Sequence, residues 1–301
     1  MFTFSCKKVV NIACIKFYTL KQRLPFSQMN KRQSYLKPIF SFDNSRKMSV
    51  LAFGSGSGTN IEALLRAEES SDCPFTISAI ITDRTCRCID IAQEAKIPYL
   101  HHNFKDFFRS HQSTDTRNPR LRKMFDQELV RKLQNLSHEH HFSIDLLFLA
   151  GYMRIVHSPL LEAFPSKVVN IHPADLTKLN SEGKRKYIGA HAIQDAIESG
   201  ESHTRSTMIL VNQSVDGGPI LASGPWVKVE NEGVSLHQEK QKHLSDWPLA
   251  VHTLWQIGLG HFSLDENFSV FFEGTKLGPS GLEVPLGALD FSLEPLAYRG
   301  S

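Results

Sequence analysis

The sequence predicts an α/β protein with a doubly wound, mostly parallel twisted sheet and helices on both faces. A short apolar strand at 49–53 leads directly into a glycine-rich turn, after which apolar residues recur at helical spacing. Further short apolar segments alternate with helical periods as far as His172, and several are apolar throughout, as expected of strands buried on both faces of a parallel sheet. This alternation of strand and helix is typical of a doubly wound sheet.

The predicted elements follow one another along the chain. Before His172, strands are predicted at 49–53, 76–82, near Tyr99, at 144–150 and at 167–171, with helices from 61, at 87–95, at 121–138 and at 159–164. After it come a polar, basic loop at 174–187, a helix at 190–199, strands at 204–211 and 219–228, and a helix at 236–256. Two short strands at 262–264 and 270–272 precede a tail rich in Gly and Pro.

Charge separates a leader from the body of the chain. Residues 1–47 contain ten Lys or Arg and one acid, a balance of +9, and since the whole chain carries +3 the remainder carries −6. We expect 1–47 to lie outside the fold, as a disordered leader, a targeting segment, or residues upstream of a true start at Met48. The folded domain then spans 48–282, and 283–301 form an irregular tail.

The composition also limits the compartments in which the protein is expected and the partners that it can bind. The mildly acidic body offers no nucleic-acid-binding surface, and the longest apolar run, 146–153, is too short to span a membrane. Five cysteines, an odd number at low density, suit a reducing compartment, and Cys86-Arg-Cys88 lacks the spacing of a zinc site and is interpreted as structural. We expect a cytoplasmic protein, or an organellar one if 1–47 is a transit peptide.

The glycine loop at 56–60 predicts an anion site. Its sequence, Gly-Ser-Gly-Thr-Asn, presents backbone N–H groups at a helix N-terminus, where the helix dipole also favours negative charge. Thr59 and Asn60 add side-chain donors, which suits a phosphate on a small molecule. The loop does not complete a GxGxxG motif, but Asp83 after the second strand keeps a dinucleotide site open as an alternative.

Two polar side chains end the strand at 167–171. Asn170 and His172 stand at alternate positions, so they point to the same side of the sheet. An amide beside an imidazole that can carry a proton suits the stabilisation of an oxyanion. Asp216 lies in a glycine-flanked turn, and a carboxylate near His172 would raise the pKa of the imidazole. Purely structural roles for the histidine and the aspartate are the alternative.

These motifs together resemble the phosphoribosylglycinamide formyltransferases. The resemblance covers about residues 48–282 and rests on four segments in the family's order: Gly-Ser-Gly-Thr-Asn at 56–60, Leu-Ala-Gly-Tyr-Met-Arg-Ile-Val at 149–156, Asn-Ile-His-Pro at 170–173 and Val-Asp-Gly-Gly-Pro at 215–219. It implies a Rossmann-like formyltransferase fold. It also implies transfer of a formyl group from 10-formyltetrahydrofolate to the amine of glycinamide ribonucleotide in purine biosynthesis, without a metal and by a monomer or homodimer.

The resemblance assigns roles to particular residues. Asn170, His172 and Asp216 match the catalytic trio, in which the amide and the protonated imidazole stabilise the tetrahedral oxyanion while the aspartate keeps the imidazole charged and helps to relay a proton. Gly58, Thr59 and Asn60 match the contact to the phosphate side of the substrate. The folate-binding positions are Arg122, Met153, Arg154, Ile155, Val156 and Asn170, with 212–216 as the wall against the pterin.

The departures from the family concern the acceptor side. Ala174-Asp-Leu-Thr replaces Ser-Leu-Leu-Pro after the histidine, and the loop that follows is longer and basic. Arg205-Ser-Thr and Ile209 replace other family residues, and Lys242 stands where a glutamate would meet the substrate amine. Alternative hypotheses are a formyltransferase for another amine, a 10-formyltetrahydrofolate hydrolase, a non-catalytic folate- or nucleotide-binding module and a dinucleotide-dependent oxidoreductase.

Overall fold

The structure, a computed structural model, describes residues 35–230 and 233–287, in which a central eight-stranded sheet is the main feature. Its strands are numbered in chain order, and across the sheet they lie in the order β14 (Leu282–Glu283), β9 (Ile220–Ser223), β8 (Thr207–Leu210), β6 (Val168–His172), β5 (Leu146–Leu149), β2 (Met48–Gly54), β3 (Phe75–Thr82) and β4 (Tyr99–His101). Strand β8 is antiparallel to both of its neighbours, and the other adjacent pairs are parallel. The predicted mostly parallel sheet is confirmed.

Helices cover the sheet, and short strands form two smaller sheets. The helices are α1 (Thr59–Glu68), α2 (Arg87–Glu94), α3 (Phe104–Ser110), α4 (Pro119–Glu139), α5 (Ser158–Ala163), α6 (Ala192–Glu198), α7 (Val234–Gln241) and α8 (Trp247–Gly258). One small sheet contains β1 (Lys37–Pro38), β11 (Phe262–Leu264), β12 (Val270–Phe272) and β13 (Thr275–Lys276), and the other pairs β7 (His203–Thr204) with β10 (Val227–Lys228). No helix in these two described stretches is long and apolar enough to cross a membrane.

The core lies on both faces of the sheet. Along β2, Val50 and Ala52 join the apolar cluster that contains residues of α1 and α8, whereas Leu51 and Phe53 join the cluster formed with α4 and α5. All seven residues of β2 are buried. A central strand covered on both sides is apolar at successive positions, which is why its sequence shows no alternation of polarity.

The helix expected at 236–256 is divided by a π-helical turn. Helix α7 ends at Gln241, residues Lys242–Asp246 form the π-helix, and α8 starts at Trp247. A π-turn accommodates an extra residue without ending the helix, and it changes which side chains face inward on either side. Periodicity alone does not distinguish it from a continuous helix.

The described part of the leader packs onto the domain, which corrects the expectation that 1–47 lies outside the fold. Strand β1 pairs with β11, and Ile39 and Phe40 are each 6% exposed within the main core cluster. Arg46 forms an ion pair with Asp145. The basic composition of the segment hid these two apolar residues. At the other end, β14 and the buried Val284 extend the ordered unit beyond 282. Residues 1–34 and 288–301 lie outside the described residues.

Candidate active site

A cavity of about 430 Å³ opens at the carboxyl end of β6. Asn170 and His172 both line it, as their alternate positions on β6 predict, and Asp216 lines it from the turn after β8. Strand β6 lies between β5 and β8, so its end is held at the middle of the sheet. The structure therefore brings together the three residues that the sequence predicts to be catalytic. Their assigned roles stay predictions.

Both ring nitrogens of His172 face acceptors. Nε2 lies 2.8 Å from the carbonyl oxygen of Tyr187, and Nδ1 lies 3.5 Å from Oδ2 of Asp216. Because a carbonyl oxygen only accepts, Nε2 carries a proton in either charge state, and Nδ1 is the atom that gains or loses one. A separation of 3.5 Å is longer than an ordinary hydrogen bond. A proton on Nδ1 can therefore be donated to an acceptor other than Asp216.

Burial dominates the titration of this histidine. His172 is 4% exposed, and burial lowers the pKa of its imidazole, while the Asp216 carboxylate and the Tyr187 carbonyl raise it and the nearby Arg185 lowers it. The carboxylate thus raises the pKa, as predicted, but burial outweighs it and the pKa of the imidazole is lowered overall. The free-energy cost of removing the imidazolium from water is larger here than the stabilisation that Asp216 and the Tyr187 carbonyl provide.

The turn that carries Asp216 is tightly constrained. Asp216 has a φ of 48°, in the left-handed region that non-glycine residues rarely adopt. Its Oδ2 accepts a hydrogen bond of 2.8 Å from the backbone N–H of Gly189. A Cβ at Gly218 would collide with the carbonyl oxygen of Leu210, so this glycine is required where the turn meets β8.

The glycine loop lines a second cavity, of about 240 Å³, next to the first. The two cavities share Gly151, Ile171, Pro173 and Ala190 as walls. Gly58 caps α1 with a φ of 72°, and Thr59 and Asn60 form the first turn of that helix. The loop therefore presents the N-terminus of a ten-residue helix to the cavity, where unpaired N–H groups and the helix dipole favour an anion.

Ile91 and Cys88 leave no room for a side chain at Gly58, and Cys88 leaves none at Gly54. A Cβ at Gly58 would lie 2.5 Å from Cδ1 of Ile91 and 3.1 Å from Sγ of Cys88, and a Cβ at Gly54 would collide with the same sulfur. Burial raises the pKa of the Cys88 thiol to about 12. This thiol packs beneath the loop as a small apolar group, in agreement with the structural interpretation of the Cys86-Arg-Cys88 segment.

Another part of the wall of the second cavity comes from the π-turn and the residue before it. Gln241, Lys242 and Asp246 line the second cavity. Gln241 donates from Nε2 to the carbonyl oxygen of Pro173 at 2.8 Å, which ties this wall to the end of β6. Burial raises the pKa of the Asp246 carboxyl to about 6, although Ser206 Oγ donates a hydrogen bond to it. The sequence patterns do not single out Gln241 and Asp246, because a helical period does not show which side chains line a cavity formed by distant segments.

The predicted folate-binding segment at 153–156 lines the larger cavity. Met153 and Ile155 are exposed apolar side chains that line it, together with Arg154 and Val156. Arg122 lines a smaller, adjacent cavity of about 100 Å³, which shares Met153, Arg154 and Ile155 with the larger one. The structure thus groups 153–156 with the candidate catalytic residues and places Arg122 beside that group.

Asp83 is committed to its neighbours. It is 2% exposed, accepts a hydrogen bond from Ser55 Oγ, and forms ion pairs with Arg84 at 3.0 Å and with Nε of Arg154 at 2.7 Å. The guanidinium of Arg154 also lies over the ring of Phe104, 4.5 Å from its centre. A carboxylate that anchors two arginines in this way is not free to bind ribose hydroxyls, which disfavours the dinucleotide alternative.

Two departures from the family sequence meet in one contact. Nε of Arg205 lies 3.4 Å from Oδ1 of Asp175, and both side chains are about 95% buried. Arg205 also pairs with Glu283 at 3.0 Å and lies over the ring of Trp226. Asp175 and Arg205, which both depart from the family sequence, therefore neutralise each other's charge, since a buried charge needs a partner.

Comparison with known proteins identifies the class to which this fold and site belong. The family described as formyl transferase matches residues 48–242. A phosphoribosylglycinamide formyltransferase of Haemophilus influenzae is 29% identical over 243 residues, which cover 78% of this chain and 98% of the relative. One of Mycobacterium tuberculosis is 31% identical over 193 residues, covering 64% and 77%. A crystal structure of glycinamide ribonucleotide transformylase 1 from Symbiobacterium toebii matches with a TM-score of 0.61 at 26% identity, covering 76% of this chain and 95% of that one.

The fold, the site and these matches define an enzyme of the formyltransferase class. The chain belongs to the formyl transferase family. Its relatives from Haemophilus influenzae and Mycobacterium tuberculosis are phosphoribosylglycinamide formyltransferases. The predicted family and enzyme class are confirmed.

Proposed function

We propose that this protein transfers a formyl group from 10-formyltetrahydrofolate to the amine of glycinamide ribonucleotide, a step of purine biosynthesis. The observation that carries the proposal is the junction of two cavities at the end of β6. One contains Asn170, His172 and Asp216, and the other contains the helix N-terminus of the glycine loop. A donor in the first and a phosphorylated acceptor in the second would place their reacting atoms at this shared boundary.

The residues present fit both substrates. Met153, Ile155, Val156 and the 212–216 segment give the larger cavity an apolar wall and a backbone wall, which suits a flat heteroaromatic ring. The N-terminus of α1 suits the phosphate of the acceptor. The amide oxygen of Asn60 is buried, and no described residue donates to it, so a donor group on the acceptor would satisfy it.

The protein's own groups supply binding, orientation and charge. The folate supplies the activated formyl carbon that the acceptor amine attacks; the bond from this carbon to the folate nitrogen breaks, and the leaving nitrogen takes up the proton that the amine loses. Asn170 offers an amide N–H to the oxygen on which negative charge develops, and His172 offers Nδ1–H when it is protonated. Asp216 faces this same nitrogen, so it stabilises the imidazolium against the cost of burial and accepts a proton through Nδ1.

Incubation of the purified protein with 10-formyltetrahydrofolate, with and without glycinamide ribonucleotide, tests the proposal. We expect the deformylated folate and the formylated ribonucleotide to accumulate together in equal amounts. A second incubation with glycinamide lacking the phosphorylated ribose serves as control, and we expect it to be a poor acceptor. Formate released at the same rate without the ribonucleotide would identify a hydrolase instead.

A further inference from the structure

The basic loop after His172 is a small hairpin built against the active site. The N–H of Asn180 donates to the carbonyl of Lys184 at 2.8 Å, and the N–H of Lys186 donates to that of Lys178 at 2.9 Å. Lys178 is also ion-paired with Glu201 at 3.1 Å. These contacts fix the base of the hairpin. Its basic residues therefore do not all serve merely as solvent-exposed charges.

One cation of this hairpin turns inward. The guanidinium of Arg185 donates from one terminal nitrogen to the carbonyl oxygen of Asp216 and from the other to that of Gly218, the second bond measuring 2.7 Å. Lys184, its neighbour, points away, with its side chain 75% exposed and paired to Glu182 at 2.8 Å. Only Arg185 of these two reaches the turn that carries the candidate catalytic carboxylate.

The backbone conformation of the turn that carries Asp216 requires stabilisation, and the two hydrogen bonds from Arg185 provide it. Asp216 occupies the left-handed region at a φ of 48°, a conformation that is strained for a residue with a side chain. Two fork-like hydrogen bonds to carbonyl groups two residues apart hold this conformation more firmly than one point contact could. Two residues farther on from Arg185, the Tyr187 carbonyl accepts from His172, so the same segment fixes both partners of the His172–Asp216 pair.

We infer that Arg185 is a positioning residue for formyl transfer, whose guanidinium fixes the turn 216–218 so that the Asp216 carboxylate faces Nδ1 of His172. The inference rests on the proposed function for its kinetic consequences and on the contacts alone for its geometry. Arg185 touches neither the imidazole nor the formyl group, and it acts through the turn. Its positive charge also opposes protonation of His172, which Asp216 favours.

Three variants separate the clamp from the charge. Arg185→Ala removes both, Arg185→Lys keeps a cation that cannot bridge two carbonyls in a fork, and Lys184→Ala removes an exposed cation of the same hairpin. The readouts are kcat, KM for each substrate, the pH dependence of kcat, and hydrogen exchange of the amides at 214–218. The N–H of Gly217, which donates to the carbonyl oxygen of Ser214 at 3.1 Å, is the most direct probe of the turn.

We expect Arg185→Ala to lower kcat by about 10²-fold with KM for glycinamide ribonucleotide unchanged, because misplacing a catalytic group slows the reaction without weakening binding in the other cavity. Arg185→Lys should lower kcat by about 10-fold and move the high-pH limb, on which activity is lost as His172 deprotonates, to lower pH, because it keeps the cation but loosens the carboxylate that favours the imidazolium. The limb should move less in Arg185→Ala, because loss of the cation raises the pKa of His172 while displacement of Asp216 lowers it. Both should speed exchange at 214–218, and Lys184→Ala should match the wild type in every readout.

Unchanged exchange at 214–218 in Arg185→Ala would overturn the inference, as would an equal loss of kcat in Lys184→Ala. Should Arg185→Ala not fold, Arg185→Lys decides alone, and wild-type kcat and exchange in that variant would overturn the clamp. Absence of formyl transfer in the wild type would contradict the proposed function, whereas the exchange measurement would still decide whether Arg185 holds the turn.

Discussion

Nδ1 of His172 lies 3.5 Å from Oδ2 of Asp216, while Nε2 of the same ring is 2.8 Å from the Tyr187 carbonyl oxygen. The carbonyl fixes the tautomer of the neutral ring, and the carboxylate favours the charged form. Because the histidine is buried, its charge depends on these two partners. A single substitution in the His172–Asp216 pair should therefore affect catalysis more selectively than one elsewhere in the site.

Asp216→Asn should lower kcat by about 10² or more, because it removes the carboxylate that stabilises the imidazolium. Loss of that charge lowers the pKa of His172 further. The limb of the pH profile on which activity falls as the pH rises should therefore move to lower pH. Asp195→Asn, at an exposed position of α6, is the control, and a profile that moves the same way in both variants would contradict the role of Asp216.

Asn170→Ala should lower kcat by about 10²–10³, the loss expected when one donor to a developing oxyanion is removed. Asn170 is half-buried and lines the larger cavity, so the fold should tolerate the change. Steady-state kinetics should be paired with thermal unfolding. A melting temperature like that of the wild type together with an unchanged kcat would show that the amide does not serve the reaction.

Gly58→Ala should destabilise the protein by about 2 kcal/mol or more, because its φ is 72° and the new Cβ would lie 2.5 Å from Ile91. It should also weaken binding of the phosphorylated substrate by displacing the N-terminus of α1. Urea unfolding and the acceptor KM are the measurements. Gly56→Ala is the matched control for stability, since a Cβ there meets nothing within 4 Å, and equal unfolding free energies for the two variants would refute the packing argument.

Asp246→Asn should stabilise the protein more at neutral pH than in acid. Burial raises the pKa of this carboxyl from 3.8 to about 6, so the folded state holds its proton to a higher pH than the unfolded chain does. The free energy of unfolding therefore falls as the pH rises through this window, by about 3 kcal/mol in total. The variant should recover most of this at about pH 8 and less at about pH 5.

Urea unfolding at both pH values measures this effect. Asp72→Asn, at an exposed position, is the control and should leave the difference between the two pH values as it is in the wild type. A variant of Asp246 that gains equally at both pH values would indicate that packing, and not the buried charge, causes the change.

Much of the architecture follows from the sequence. Continuous apolar runs such as that of β2 identify strands buried on two faces, and the glycine loop identifies the first strand-to-helix turn. Asn170 and His172 are recognisable because residues two apart on a strand share a face. The four spaced motifs were enough to predict a formyltransferase, and the family match confirms it.

Tertiary structure decided what depends on contacts between distant residues. The short strand β1 could not be predicted because its pairing partner, β11, lies more than two hundred residues away, and the basic segment around Phe40 gives no local sign that this residue is buried. Helix α3 is too short to show a clear period in the sequence. Its N-terminus is capped by Asn103, whose side-chain oxygen accepts a hydrogen bond from the N–H of Asp106. Local periodicity carries no information on such long-range pairing and little on short elements.

The same distinction holds within the site. The sequence determined which residue types end β6 and which glycines the loops require. It could not show that Arg185 reaches the Asp216 turn, that Arg205 neutralises Asp175, or that burial outweighs Asp216 in lowering the pKa of His172. Those outcomes depend on desolvation and on distances between side chains far apart in the chain, and only the folded structure sets both.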